Sequence, residues 1–343
     1  MPKKISFKPK QVTKKILSPL HDRAYDVIKN RFGLSDDLEH KTLEAIGQKY
    51  GITRERVRQI EHAALETVRK SEEYKAERAA FLELHDIIKE LGSIVAEDEL
   101  LGAVSKDKST QNHIGLYLVL GNEFTKHKED DHFQTRWSVD DDVANTVHAS
   151  LHKLYGSLAD DELVPESEML DRFLTELKDL NSEYRNEEIA RRFLCLSKGI
   201  CKNPLGEWGR ADSSNIKTRG IKDYAFLMMR KHGSPMHFRE VAKAIGDTFE
   251  KKCHTATCHN ELIKDDRFVL VGRGIYALKE WGYKSGVVRD VIKEILKREG
   301  PLSKDDVVDR VLKERYLKRN TILVNLQNPK YFKKNKDKLY TAA

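Results

Sequence analysis

The sequence predicts a mainly α chain with small β-wings: an N-terminal helix-turn-helix domain followed by tandem winged-helix-like domains. Three observations lead there. The stretch TLEAIGQKYGITRERVRQIEHAALETVRK, Thr42 to Lys70, reads as one helix, a glycine turn and a second helix studded with arginine. Behind it, an apolar-periodic helix, a glycine and a second helix recur at Gly92, Gly156, Gly233 and Gly300, spaced 64, 77 and 67 residues apart. A period near 70 means repeated small domains rather than one large fold. Third, RFVLVGRGIYALKEWG holds two apolar runs joined by Gly272-Arg273-Gly274, the pattern of a tight β-hairpin.

Taken in order, residues 1–17 carry six lysines in the first fifteen positions and no acid. That composition predicts a disordered basic arm suited to non-specific phosphate contact. Residues 18–75 form the helix-turn-helix domain. Thr42 and Thr53 stand where N-caps belong, and Gly51 stands where a left-handed C-cap ends the first helix. Leu43, Ile46 and Tyr50 make that helix's inward face. Val57, Ile60, Ala64 and Val68 recur at helical spacing and must face the core. Thr53, Arg54, Glu55, Arg56, Arg58 and Gln59 remain at the start of the second helix as candidate DNA-binding residues. Arg can hold guanine through two hydrogen bonds, Gln can pair adenine likewise, and Glu can accept from cytosine. The alternative is a solvated face of ion pairs; the cap and the glycine turn favour the groove.

LHDRAYDVIKNRFGL and KTLEAIGQKYGITRERVRQIEHAALETVRK together resemble region 4 of the primary sigma factors of bacterial RNA polymerase, over about residues 18–70. The resemblance implies that Arg54, Glu55, Arg58 and Gln59 read bases in a promoter element, that Arg56 lies near phosphate, and that the domain docks on the β-flap of core polymerase. Two features depart from the family. Ala63 stands where a lysine is usual, in an area that meets activators. The domain also comes first, and no aromatic-rich DNA-melting helix is recognisable elsewhere.

The following units are expected at 76–140 and 141–215, both acidic and winged-helix-like, then at 216–284 and 285–343. Their second helices are expected to open with LGSIVAEDELL, YGSLADDELV, HGSPMHFREVA and EGPLSKDDVV. Each unit closes on an aromatic: Trp137, Trp208, Trp281 and Tyr340. The third is the clearest, with IKDYAFLMMRKHG, HFREVAKAIG and TATCHNELIKDD as three helices before the hairpin. PMHFREVAKAI and RFVLVGRGIYALKEWG resemble the HARE-type winged helix, found in the δ subunit of some bacterial RNA polymerases and in various DNA-processing and chromatin proteins. This implies DNA contact by Thr255, Thr257, Asn260 and Lys264 on the third helix and by Arg273 on the wing. A protein-docking role for that helix stays open.

The net charge of +7 conceals a division. Residues 1–80 carry +6, residues 81–215 carry −12 and residues 216–343 carry +13. The two ends suit a polyanion and the middle is repelled by it. The acidic clusters AEDELL, ADDELV and SKDDVV are expected at helix starts, where they offset the helix dipole rather than form a catalytic pair. HNELI lacks the second histidine of a zinc protease, the GxG at 272–274 lacks a βαβ context, and no P-loop is present. His127 and His132 are expected as surface histidines. Four cysteines are too few for a disulfide scaffold. The Cys253–His259 run has loose spacing for zinc and no second ligand pair, so reduced structural thiols are expected.

No signal peptide or membrane-spanning stretch is visible. The expectation is therefore a cytoplasmic, nucleoid-associated, non-enzymatic regulator without cofactor or metal. Its partners are promoter-like double-stranded DNA and core RNA polymerase, not a membrane or a small molecule. The alternatives are an architectural, nucleoid-type DNA-binding protein, or an interaction scaffold of the transcription machinery.

Overall fold

A computed structural model describes residues 5–283 and 286–343. The chain divides into two compact units, residues 1–202 with 206–212, and residues 203–205 with 213–343. Most of it is helical, with small antiparallel sheets.

The first unit opens with α1 (Pro9–Ile16), α2 (Asp22–Arg31), α3 (Leu43–Tyr50), α4 (Arg54–Lys70), α5 (Glu72–Ala76) and α6 (Arg78–Glu90). Then come β1 (Ile94–Ala96), α7 (Glu97–Val104), α8 (Lys108–Leu120), β2 (Thr125–His127) and β3 (Arg136–Ser138). It closes with α9 (Asp141–Ser157), α10 (Glu166–Glu176), α11 (Glu187–Leu194) and the hairpin β4 (Ile200–Lys202) and β5 (Trp208–Arg210).

The arm expected to be disordered is a helix from Pro9 onward; its first four residues lie outside the described residues. The six lysines mask an amphipathic pattern. Lys8, Lys10, Lys14 and Lys15 face solvent, while Val12, Thr13, Ile16 and Leu17 are buried. Thr13 Oγ1 lies 3.0 Å from the Tyr117 hydroxyl and 2.8 Å from His113 Nδ1 on α8, and Tyr117 donates to the Pro9 carbonyl at 2.6 Å. A buried hydroxyl needs such partners, so α1 docks in one register.

The helix-turn-helix and the unit behind it share a core. Val12, Ile28, Ala64, Leu65 and Val68 pack in one cluster with Phe81, Leu84, Ile88, Tyr117 and Trp137. A second cluster gathers Ile94, Ala96, Val147, Leu151, Phe173, Phe193 and Trp208. β1 stands between them in the order β1-β3-β2. Its side chains alternate, with Val95 entering the first core and Ile94 and Ala96 the second. A strand pleats with period 2, so one three-residue strand fastens two cores. Ser93 Oγ, 2.9 Å from the Tyr184 hydroxyl, adds to the seam.

The repeat plan fails at one point. Gly156 does not precede a helix; it lies inside α9, and ADDELV forms a turn before α10 begins at Glu166. The apolar Leu158, Leu163 and Val164 bury themselves there. Glu162 takes the Ala159 amide at 3.1 Å and pairs with Arg172 at 2.8 Å, so this acid holds a loop rather than a helix start.

The second unit holds α12 (Ile221–His232), β6 (Met236–His237), α13 (Phe238–Phe249), α14 (Thr255–Lys264), β7 (Phe268–Gly272) and β8 (Ile275–Leu278). The strands pair in the order β6-β8-β7, and the hairpin stands where the sequence expects a wing. Three further helices follow, α15 (Val288–Glu299), α16 (Lys304–Glu314) and α17 (Arg319–Leu326), with the hairpin β9 (Phe332–Lys334) and β10 (Tyr340–Ala342). Ile292, Ile295, Val307, Val308, Val311, Ile322 and Phe332 form their own core.

Candidate nucleic-acid interface

Local chemistry explains α3 and α4. Thr42 Oγ1 accepts from the Ala45 amide at 3.1 Å and Thr53 Oγ1 from the Arg56 amide at 3.2 Å, so each helix is capped by its preceding threonine. Gly51 adopts φ 63°, ψ 34°, the left-handed cap that lets the chain turn sharply between them. Val27, Ile46 and Val57 are buried together, with Leu43, Tyr50, Ile52 and Ile60 packed around them.

α2 locks both helices in place. Asp26 Oδ2 receives Lys49 Nζ at 2.6 Å, Asn30 Nδ2 at 3.0 Å and the Tyr50 hydroxyl. Burial works against the Asp26 carboxylate, yet these donors hold it below its usual range. Arg31 binds Glu61 of α4 at 3.2 Å and donates to the Lys41 carbonyl at 2.7 Å. These supports carry little signal in the sequence. The one local mark is the Asp26–Asn30 spacing of four, which sets both side chains on one face of α2.

Thr53, Arg54, Glu55, Arg56, Arg58 and Gln59 all lie exposed along the first turns of α4. Arg58 meets Glu55 in two hydrogen bonds, Nε to Oε2 at 2.9 Å and Nη2 to Oε1 at 2.7 Å. Hydrogen bonding to Arg58 holds the Glu55 carboxyl below its usual range. Arg56 Nη1 donates to Gln59 Oε1 at 3.0 Å. These side chains are thus laid in pairs along the helix, each facing solvent with its polar groups already organised. A fork that binds a carboxylate at two points also fits the edge of guanine.

In the second unit, Thr255, Thr257, Asn260 and Lys264 are exposed on α14, and Arg273 is exposed at the hairpin tip. Cys258 and Leu262 make the buried face of that helix. His259 stacks on Phe238 with ring centroids 4.2 Å apart, and Phe238 stacks on His237 at 4.5 Å. The hairpin is less isolated than the sequence implies. The Tyr316 amide donates to the Val271 carbonyl at 2.9 Å, and a Cβ at Gly272 would stand 2.7 Å from the Tyr316 carbonyl. One flank of the hairpin is therefore occupied by the segment that follows it.

Arg267, singled out by no sequence pattern, anchors the same domain. It reaches Asp223 on α12 at 2.8 Å and Asp265 at 2.9 Å, and Asp223 also accepts the Arg219 and Gly220 amides at 3.0 Å each. Hydrogen bonding to Arg267 holds Asp265 down at about 2. Burial pushes the Cys258 thiol up to about 12, which leaves no thiolate near neutral pH. Among the described residues, no group of three or more His, Cys, Asp or Glu side chains is placed to hold a metal. No described helix is long and apolar enough to cross a membrane. His127 is half-buried rather than a surface residue, its Nε2 2.9 Å from Ser138 Oγ.

Three packed helices with a capped, solvent-facing α4 define a helix-turn-helix unit. Residues 16–70 match the family described as Sigma-70, region 4. Over 54 residues, 16% of this chain, the sequence is 50% identical to the RNA polymerase sigma factor RpoD of Helicobacter pylori and 54% identical to the RNA polymerase sigma factor SigA1 of Synechococcus elongatus. The matched stretch takes in 8% of the former and 13% of the latter, so the chain spans only a small part of these curated relatives.

Proposed function

We propose that this protein is a sequence-specific DNA-binding transcription regulator that acts with bacterial RNA polymerase, by promoter recognition or by modulating initiation, and that it performs no catalysis. The observation that carries this reading is the outward presentation of Arg54, Glu55, Arg58 and Gln59 on a Thr53-capped helix braced by Asp26 and Arg31. It falls within a segment half identical to two polymerase sigma factors. In this reading the four side chains read base edges in the major groove, Thr53 and Arg56 contact the backbone beside them, and the domain docks on the β-flap of core polymerase. Residues 216–284 act as a HARE-type winged helix, with Thr255, Thr257, Asn260 and Lys264 toward DNA and Arg273 beside it on the wing.

The test is footprinting on genomic promoters with core polymerase, comparing the intact protein with Arg58→Ala. Deleting the first 75 residues would strip α1 and α4 from a shared core, so a point variant is the cleaner probe. Loss of a two-point base contact weakens the preferred site roughly 5- to 150-fold and relaxes base choice at one position. Equal losses on cognate and random DNA would move Arg58 to the phosphate backbone. Absence of any promoter footprint, together with failure to retain core polymerase, would refute the reading.

A further inference from the structure

The charges of the last domain are segregated. Its acids are largely engaged by arginines of its helices: Glu299 pairs with Arg298 at 2.9 Å and with Arg310, Glu314 with Arg298 at 3.2 Å, and Asp305 with Arg319. The terminal hairpin is different. Lys330, Lys333, Lys334, Lys336 and Lys338 are all exposed, with Asp337 the one acid among them. Among the described residues none of these lysines meets a carboxylate.

Three cations from two elements also converge on one ring. The Arg289 guanidinium and Lys293 Nζ of α15 stand 5.0 and 5.2 Å from the Tyr331 centroid, and Lys330 Nζ stands 5.8 Å away. Arg289 donates to the Tyr331 hydroxyl at 3.3 Å, and its nearest acid, Asp290, is 3.6 Å from Nε. A ring face attracts one cation, but three of like sign around it repel one another, and one carboxylate does not neutralise them. An anion seated among them relieves that repulsion.

We infer that α15 and the terminal hairpin form a further DNA-binding surface, separate from α4 and from α14 with its hairpin, which holds the phosphate backbone of duplex DNA without regard to sequence. Lysines act as point charges rather than planar forks, so they take phosphate oxygens and carry no base information. The surface lies on the first helix and hairpin of this domain, not on its third helix. On α17, Arg319 is engaged with Asp305, while Val324 is 69% exposed and offers nothing to a phosphate. The choice of duplex DNA rests on the reading of α4 above. Joining a base-reading element to a backbone-holding one raises the effective concentration of each at its site.

The experiment uses the full-length protein and a duplex of random sequence that lacks a promoter, titrated with salt. The variant carries Lys330→Gln, Lys333→Gln, Lys334→Gln and Lys336→Gln, and a second variant carries Arg289→Gln and Lys293→Gln. Each phosphate contact contributes about 0.9 to the slope of log affinity against log salt. The fourfold variant should therefore lose about 3 to 4 units of slope and roughly 100-fold in affinity near 0.15 M salt. The double variant should lose about 2 units, and both should keep the wild-type melting temperature. Unchanged slope and affinity in both would overturn the proposal. So would lysine-dependent binding to duplex RNA or to vesicles of anionic lipid that exceeds binding to DNA. A promoter footprint that survives while random-duplex binding is indifferent to these lysines would sink this surface alone. Loss of the footprint with random-duplex binding intact would sink the base-reading role of α4 alone.

Discussion

Arg69 tests whether the helix-turn-helix is one body with the residues behind it. It lies in the last turn of α4, and its guanidinium spans the end of α8: Nε donates to the Leu120 carbonyl at 3.1 Å and Nη2 to the Val119 carbonyl at 2.7 Å. Glu66 holds the third edge at 2.7 Å. The last carbonyls of a helix have no partners of their own and form the negative end of its dipole, so a cation there is doubly favoured. Arg69→Met keeps the stem and removes the donors. A hydrogen bond to a charged group contributes about 1.5 kcal/mol or more when desolvated. With the side chain 27% exposed, the two bonds together come to about 2 kcal/mol. For a unit of this size that lowers the melting temperature by about 4–8 °C. Calorimetry of the intact protein measures it. Hydrogen exchange supplies the decisive observation, because α4 and β3 should lose protection by the same free energy. A shift below about 1 °C, or α4 exchanging freely while Trp137 and β3 stay protected, would show that the helix-turn-helix hangs as an independent domain.

Two further perturbations act elsewhere. Arg267→Gln leaves Asp223, 2% exposed, with only its two backbone amides, and should destabilise the second unit by about 2 kcal/mol while leaving the first unit's transition in place; a thermal scan that moved the first unit instead would contradict the assignment. Burial, with Arg136 and His127 close by, pulls His148 from 6.5 down to about 4. The folded state resists this proton and the unfolded chain accepts it, so stability is complete above pH 6.5 and falls as pH drops toward about 4. After discounting for partial exposure, the loss is about 1–2 kcal/mol. Half-buried Glu99, whose carboxyl is raised by burial, acts with the opposite sign, so the measurement is a difference. His148→Gln retains an acceptor for Arg136 Nε, now 2.7 Å from His148 Nε2, and should flatten the decline between pH 6.5 and 4.5; identical pH profiles would discard His148 as the cause.

What the sequence made legible was local. Thr42, Gly51 and Thr53 are punctuation, each acting within three residues, and α3, the turn and α4 follow from them. The hairpin at 268–278 was legible for the same reason, since two apolar runs around a GxG tip close on each other. What escaped depends on partners far along the chain. Thr13 and Tyr117 are 104 residues apart, and neither carries a periodic signal for the other, so α1 read as a lysine-rich tail. The repeat pattern places Ile94–Ala96 in a helix opening, but they form a strand; three apolar residues in a row show no alternation, because a core lies on each side of the strand. Gly156 was misread because a glycine near the exposed end of a long helix resembles a terminator. The roles of Arg54, Glu55, Arg58 and Gln59 rest on the resemblance and on their exposure, and geometry alone assigns them no base.

The shared core changes what the acidic middle means. As a separate body, residues 81–215 with 27 acids would read as a surface made for a basic partner. In the structure, nine of those acids stand in the first turns of α7, α9, α10 and α11, where they face the positive end of a helix dipole. Others are consumed in ion pairs, Glu129 with Lys198, Asp160 with Arg210 and Glu162 with Arg172. Helix stability thus accounts for much of the negative charge without a partner. The field remains negative whatever its origin, and α4 is held by core contacts to the body that carries it. On the proposed reading, a duplex whose base edges meet Arg54 and Arg58 is at the same time repelled by the acidic part of the first unit. Non-specific attraction must then come from a different source, and the +13 of residues 216–343 is the charge available to supply it. On this account the first unit discriminates and the second holds. Neutralising the hairpin lysines should therefore lower affinity on every sequence alike and leave the ratio between promoter and random DNA unchanged.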